Sequence, residues 1–268
     1  MSMTRWFLAL ALLVVVRSAV FVFWPAAHFD SDQAITGLMA KHLAELRWNV
    51  TRLWRGFGPR GPMGPVDGPP ALVIPGFIAT DRTTMALRKA LARGGYRVHG
   101  WGMGWNLGVR TDTVHKLEAC LDRLGAREPV LLVGWSLGGL FARELARHCP
   151  HKVRAVVTLG SPFSGDPHLN NIWPLYEKIA GHKVDDPPIP RILEKPPVPT
   201  LAIWSRGDGI VAPRAAYGLD GERDEAVEMN CSHMAFGMSR RAADAVVREI
   251  DTFLKKQATK RENLVSAA

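Results

Sequence analysis

The sequence predicts an α/β protein: a mostly parallel six-stranded sheet with helices on both faces and a small cap inserted over it. Three observations carry this. Short apolar runs alternate with helix-periodic segments from residue 71 to residue 256, the rhythm of strands joined by helical crossovers. The runs lack polar–apolar alternation, as expected of strands covered on both faces. One connection, 161–197, is too long and too apolar for an ordinary loop.

The first of these runs is "ALVIP" (71–75), followed by the helix-periodic "DRTTMALRKALARGG" (81–95) and the strand-like "YRVHGW" (96–101). In "DTVHKLEACLDRLG" (112–125), Leu117, Leu121 and Leu124 share one helical face. "PVLLVGW" (129–135) reads as strand, "LGGLFARELARHC" (137–149) as helix and "VRAVVTLG" (153–160) as strand. "VPTLAIWS" (198–205) and "EAVEMN" (225–230) supply the last two strands, and "SRRAADAVVREIDTFLKK" (239–256) a closing amphipathic helix. The long connection carries isolated bulky residues, Phe163, Ile172, Trp173, Leu175, Tyr176 and Ile179, which suit a cap packed over a site.

Ahead of the core, "GFGPRGPMGPVDGPP" (56–70) reads as a Gly/Pro linker, leaving 1–55 as an N-terminal segment and 258–268 as a tail. The apolar run 5–27 is long enough to span a bilayer. Arg17 interrupts it, at a cost of roughly 2.5–3.5 kcal/mol for an arginine at a helix centre. Trp24 and Pro25 depart from a small-x-small cleavage pattern. The expectation is an uncleaved anchor, with membrane association through residues 5–27 and a membrane-anchored or exported protein. A cytoplasmic location is expected if the run does not insert.

With 268 residues, 47% of them apolar and 22% charged, the chain suits one large domain plus an appendage. The formal net charge of +9 is spread among acidic residues, without a dense basic run, so nucleic acid is not expected as a partner. Three cysteines, Cys120, Cys149 and Cys231, include no C-x-x-C pair, and neither a metal site nor a disulfide framework is expected. No nucleotide fingerprint is present, and no cofactor is expected. Oligomeric state is not legible.

The chemistry centres on Gly134-Trp135-Ser136-Leu137-Gly138, a G-x-S-x-G between an apolar strand and an amphipathic helix. A strand turning sharply into a helix strains the serine and leaves no room for side chains two residues away on either side. A serine hydroxyl needs a base, and the chain order serine, acid, histidine selects Asp208 in "SRGDGIV" and His233 in "MNCSHMAFG". Asp220 and Asp224 are rival acids; Asp224 is expected to open a strand. The expected oxyanion donors are the backbone N–H groups of Leu137, after the nucleophile, and Phe77, in the loop after the first strand. The aromatics Trp105, Trp135, Phe163 and Trp173 are the candidate substrate pocket, with Phe77 and Trp101 also near loop mouths.

These motifs make residues 71–256 resemble the α/β-hydrolase superfamily, close to compact bacterial lipases and esterases. "GWSLGG", "TLGSPFSG" and "SRGDGIV" are similar to that family's nucleophile elbow, lid approach and acid loop. Many relatives carry His-Gly at the oxyanion loop where this chain has Pro75-Gly76. The resemblance implies a serine carboxylic-ester hydrolase acting through an acyl-enzyme on an apolar acyl or aryl ester. An acyltransferase on the same fold, or a non-catalytic membrane-tethered binding protein, remain open. Separately, "FDSDQAITGLMAKHLAE" (29–45) resembles the start of membrane glycosyltransferases of the dolichol-phosphate-mannose type, with Asp30 and Asp32 matching their acidic pair. The later spans of that family are absent, and the segment is assigned no chemistry.

Overall fold

The computed structural model describes residues 61–124 and 128–266. The proposed anchor at 5–27, Asp30 and Asp32, and the first five residues of the linker (56–60) lie outside the described residues. Among the described residues no helix is long and apolar enough to cross a membrane.

Six strands form one sheet, all pairs parallel, in the order β2-β1-β3-β4-β5-β6. They are β1 (Pro70–Ile74), β2 (Arg97–Gly100), β3 (Val130–Trp135), β4 (Val153–Leu159), β5 (Thr200–Trp204) and β6 (Glu225–Glu228). Among the described residues the α-helices are α1 (Met85–Arg93), α2 (Thr113–Arg123), α3 (Leu137–His148), α4 (Trp173–Ala180), α5 (Pro213–Tyr217), α6 (His233–Met238) and α7 (Arg240–Ser266).

Every residue of β1 and β3 is buried, which explains their unbroken apolar character. Successive side chains go to opposite faces. Ala71, Val73, Leu131, Val133 and Trp135 join Leu87 and Leu91 of α1, Phe236 of α6, and Ile250 and Phe253 of α7. Leu72, Ile74, Val130 and Leu132 join Leu117 and Leu121 of α2 and Phe141 and Leu145 of α3. Each fully buried Leu, Ile or Phe stabilises the fold by about 1.5–3 kcal/mol in transfer terms, so these two layers fix the strand ends from which the site is built.

Two boundaries differ from the sequence reading. The remainder of the linker belongs to the domain. Met63 pairs antiparallel with Val98 of β2, N–H to O distances being 2.9 and 2.8 Å. Gly64 and Gly68 lie so close to the chain that a Cβ would meet Tyr96 O at 2.1 Å and Gly95 O at 2.2 Å. The Gly/Pro composition there serves close backbone approach rather than freedom. The closing helix α7 runs to Ser266, ten residues beyond its expected end at residue 256, since Lys, Gln, Ala, Arg and Glu beyond Lys256 all favour helix. The cap contains one real helix, α4, with Pro174 in its first turn and Gly181 (φ 81°) ending it.

Arginines strap this cap down. Arg143 of α3 is buried and donates to the carbonyls of Glu222 (2.8 Å), Leu193 (2.7 Å) and Glu194 (3.0 Å). Its guanidinium also covers the Phe163 ring at 4.4 Å. Arg147, one turn on, donates to Ile192 and Glu194. Arg191 reaches back to Gly165 (2.6 Å) and Pro162 (3.0 Å). Burial pushes the Arg143 pKa down to about 10. Carbonyl dipoles replace water around this cation.

Candidate active site

Ser136 stands between β3 and α3 with φ 54° and ψ −123°, a strained conformation for a residue with a Cβ. Its surroundings enforce it. A Cβ on Gly134 would lie 2.3 Å from Gly138 O, one on Gly138 would lie 2.2 Å from Ile74 O, and one on Gly139 would lie 2.0 Å from Ser161 Oγ. The Ser136 N–H donates to Leu159 O at 2.9 Å, tying the turn to the end of β4. The serine is 9% exposed.

Asp208 follows β5 and is 2% exposed. Its Oδ1 accepts the N–H groups of Ile210 and Val211, both at 2.8 Å. Its Oδ2 lies 2.7 Å from Nδ1 of His233. His233 opens α6 after β6 and is equally buried, at 2%. Gly160, next to Leu159, has φ 53°, and a Cβ there would lie 2.8 Å from Asp208 Oδ2 and 3.2 Å from His233 Nδ1. The end of β4 therefore touches the serine turn on one side and the Asp–His pair on the other.

Of the rival acids, Asp224 accepts the Thr200 N–H at 2.8 Å and pairs with Lys195 at 2.9 Å, joining β5 to β6. Asp220 is an exposed partner of Arg223, at 3.1 Å. Ser205 is a residue that the sequence reading missed. Its Oγ donates to Cys231 O (2.6 Å) and accepts the N–H groups of Gly207 (2.9 Å) and Cys231 (3.2 Å). One hydroxyl thus locks the acid loop to the histidine loop. Only the position of Ser205, just after a strand, hinted at this.

Leu137 is the first residue of α3, where a helix N–H has no partner within the helix. Phe77 follows Gly76, which sits so close to the elbow that a Cβ on it would be 3.0 Å from Ser136 Cβ. Both backbone donors expected from the sequence thus flank the serine turn.

A cavity of about 130 Å³ opens at Ser136, Leu137 and Phe77 and runs beneath Ile172, Trp173 and Tyr176 of the cap. Phe163 is also in its wall. Two of the four aromatics read as pocket lie elsewhere. Trp135, last in β3, points to the α6–α7 face, donates from Nε1 to His233 O at 3.1 Å, and backs the histidine instead of facing substrate. Trp105 is 53% exposed and is not in the cavity wall. Trp101 takes the buried place in that loop, with Nε1 donating to Gly104 O at 3.0 Å, and glycines 102 and 104 at positive φ turn the chain outward.

Among the described residues one group has metal-ligand proximity, His115, Glu118 and His148 on α2 and α3. Glu118 already pairs with Lys152 at 3.0 Å and His148 at 2.9 Å. An ammonium fills the role of cation there.

Comparison with known proteins matches residues 69–184 to the alpha/beta hydrolase fold family. Two curated relatives are pimeloyl-[acyl-carrier protein] methyl ester esterases. The one from Sodalis glossinidius is 38% identical over 73 residues, 25% of this chain and 26% of the relative. The one from Aromatoleum aromaticum is 38% identical over 88 residues, 24% of this chain and 35% of the relative. The chain therefore spans only about a quarter to a third of their length. Among solved structures, the α/β hydrolase MGS-MChE2 from a Mar Chica lagoon sediment metagenome superposes with TM-score 0.53 at 21% identity, covering 74% of this chain and 94% of that one. Naproxen esterase from Bacillus subtilis gives TM-score 0.50 at 15% identity, covering 78% and 98%.

Proposed function

We propose that this chain, which has the α/β-hydrolase fold and matches that family over residues 69–184, is a serine carboxylic-ester hydrolase acting on an apolar acyl or aryl ester. The observation that carries this is the buried Asp208–His233 pair, 2.7 Å from Oδ2 to Nδ1, packed against the end of β4 to which the Ser136 turn is also hydrogen-bonded. In this reading His233 takes the Ser136 proton as Oγ attacks the ester carbonyl, and Asp208 fixes the imidazole tautomer and stabilises the imidazolium. The Phe77 and Leu137 N–H groups receive the oxyanion. His233 then protonates the departing alcohol. Water, activated by the same imidazole, releases the acid and restores Ser136. The apolar cavity beside Ser136 suits a hydrocarbon acyl or aryl group. The two relatives named as methyl ester esterases support ester cleavage.

The test is a panel of p-nitrophenyl esters of rising acyl length on the full chain and on Ser136→Ala. Turnover that disappears with Ser136 supports the proposal, and turnover indifferent to it overturns the proposal. An acyltransferase would instead show product formed with an added alcohol outrunning hydrolysis.

A further inference from the structure

We infer that Asn106 is the positioning residue of the oxyanion loop, an inference that rests on the ester-hydrolase reading above. Asn106 is fully buried in the loop between β2 and α2. Three of its polar groups bind the short segment 75–79. Its side-chain Nδ2 donates to Pro75 O at 2.8 Å. Its carbonyl accepts the Ile78 N–H at 2.7 Å, and its own N–H donates to Ala79 O at 2.9 Å. The fourth group, Oδ1, accepts the Gly108 N–H at 3.3 Å, which folds the Asn106 loop around its own side chain.

The segment needs this support. Ile78 has φ 49°, a left-handed conformation that a β-branched residue adopts only when its surroundings impose it. The peptide plane that carries the Phe77 N–H is closed into a turn by one bond, Gly76 O accepting the Ala79 N–H at 3.1 Å. A Cβ on Gly76 would crowd Ser136 Cβ at 3.0 Å and Trp135 O at 3.2 Å. Asn106 holds this turn in place, gripping the Pro75 carbonyl before the glycine and the Ile78 amide and Ala79 carbonyl after it. With both flanks held, the intervening Phe77 N–H keeps one direction. The Asn106 side chain makes only the Pro75 bond to this segment, so substitution there loosens one flank and leaves both main-chain bonds in place.

The test uses the full chain with Asn106→Leu, near in size but without the donor, and Asn106→Ser, too short to reach Pro75. Turnover of a p-nitrophenyl ester and inhibition by an aryl trifluoromethyl ketone, which forms a tetrahedral adduct, are measured with Tm. Losing an oxyanion donor outright costs about 10²–10³ in kcat, so a misaimed one is expected to cost about 10–100-fold. KM should stay within about twofold, and ketone inhibition should weaken by a factor similar to the kcat loss. Unchanged kcat in either folded variant, or a loss carried by KM alone, overturns the inference. If Asn106→Leu does not fold, Asn106→Ser decides by the same criteria. A wild-type chain that neither turns over the ester nor reacts with an organophosphonate overturns the hydrolase reading and this inference with it. An active wild type with equally active variants overturns the inference alone.

Discussion

Asp208 and His233 meet 2.7 Å apart, Oδ2 to Nδ1, with both residues sealed from solvent. The second carboxylate oxygen is held by two backbone N–H groups, so the carboxylate cannot rotate away from the ring. Asp208→Asn should leave the fold in place and lower kcat/KM by about 10²–10⁴-fold, the consequence of losing the correct tautomer. Asp224→Asn should instead weaken the β5–β6 edge, lowering Tm with activity per folded molecule nearly unchanged. A collapse of activity in Asp224→Asn beside an active Asp208→Asn would reverse the two roles.

Ser136→Ala should reduce ester hydrolysis by at least about 10³-fold and abolish covalent labelling by an organophosphate. Peptide mapping of the labelled wild type checks the position. Label recovered on another serine would refute the assignment. The elbow itself should survive, because the glycines at 134, 138 and 139 hold the turn, not the serine hydroxyl.

Gly160→Ala should damage the site from behind. The new Cβ would start 2.8 Å from Asp208 Oδ2, at φ 53°, and a displacement of about 1 Å in a catalytic group can cost about 10²-fold. Gly165→Ala is the control. It carries a similar strain at φ 65° but only meets Leu169 at 3.3 Å. Gly165→Ala should lower Tm while keeping kcat. Equal activity in the two variants would dissociate Gly160 from the site.

His99 on β2 should shape acid stability. Burial first, then the Arg97 and Arg88 cations, hold its imidazole pKa below the ordinary 6.5. The unfolded chain therefore binds the proton more readily than the native one, and this group's contribution is complete above pH 6.5 and is lost as pH falls toward the lowered native value. His99→Leu should flatten the decline of Tm below about pH 6.5. An unchanged Tm–pH profile would refute it.

Much of this molecule is legible in the sequence, and the reason is local. Buried parallel strands must be apolar throughout, and the Gly134–Gly139 turn admits no side chains, so both leave marks in the order of residues. The direction of a side chain at a strand end leaves a weaker one. Trp135 and Trp105 read alike as pocket aromatics, yet strand parity sends one to the helix layer and glycine turns send the other to the surface. Arg143 and Arg147 look like solvent-facing charges on an amphipathic helix, because the carbonyls that receive them lie some fifty residues away. Asn106 has no local pattern at all. Its partners exist only once two loops have been brought together.

The Met63–Val98 bridge bears on how the protein behaves in solution. It occupies the hydrogen-bonding rim of β2, the outermost strand on that side of the sheet. Cut away, that rim would offer unpaired N–H and C=O groups to any neighbouring chain, the template from which sheets grow between molecules. A fragment that begins at residue 56 keeps its own selvedge, whereas one trimmed back to β1 carries a raw border along which copies can stitch themselves into aggregates.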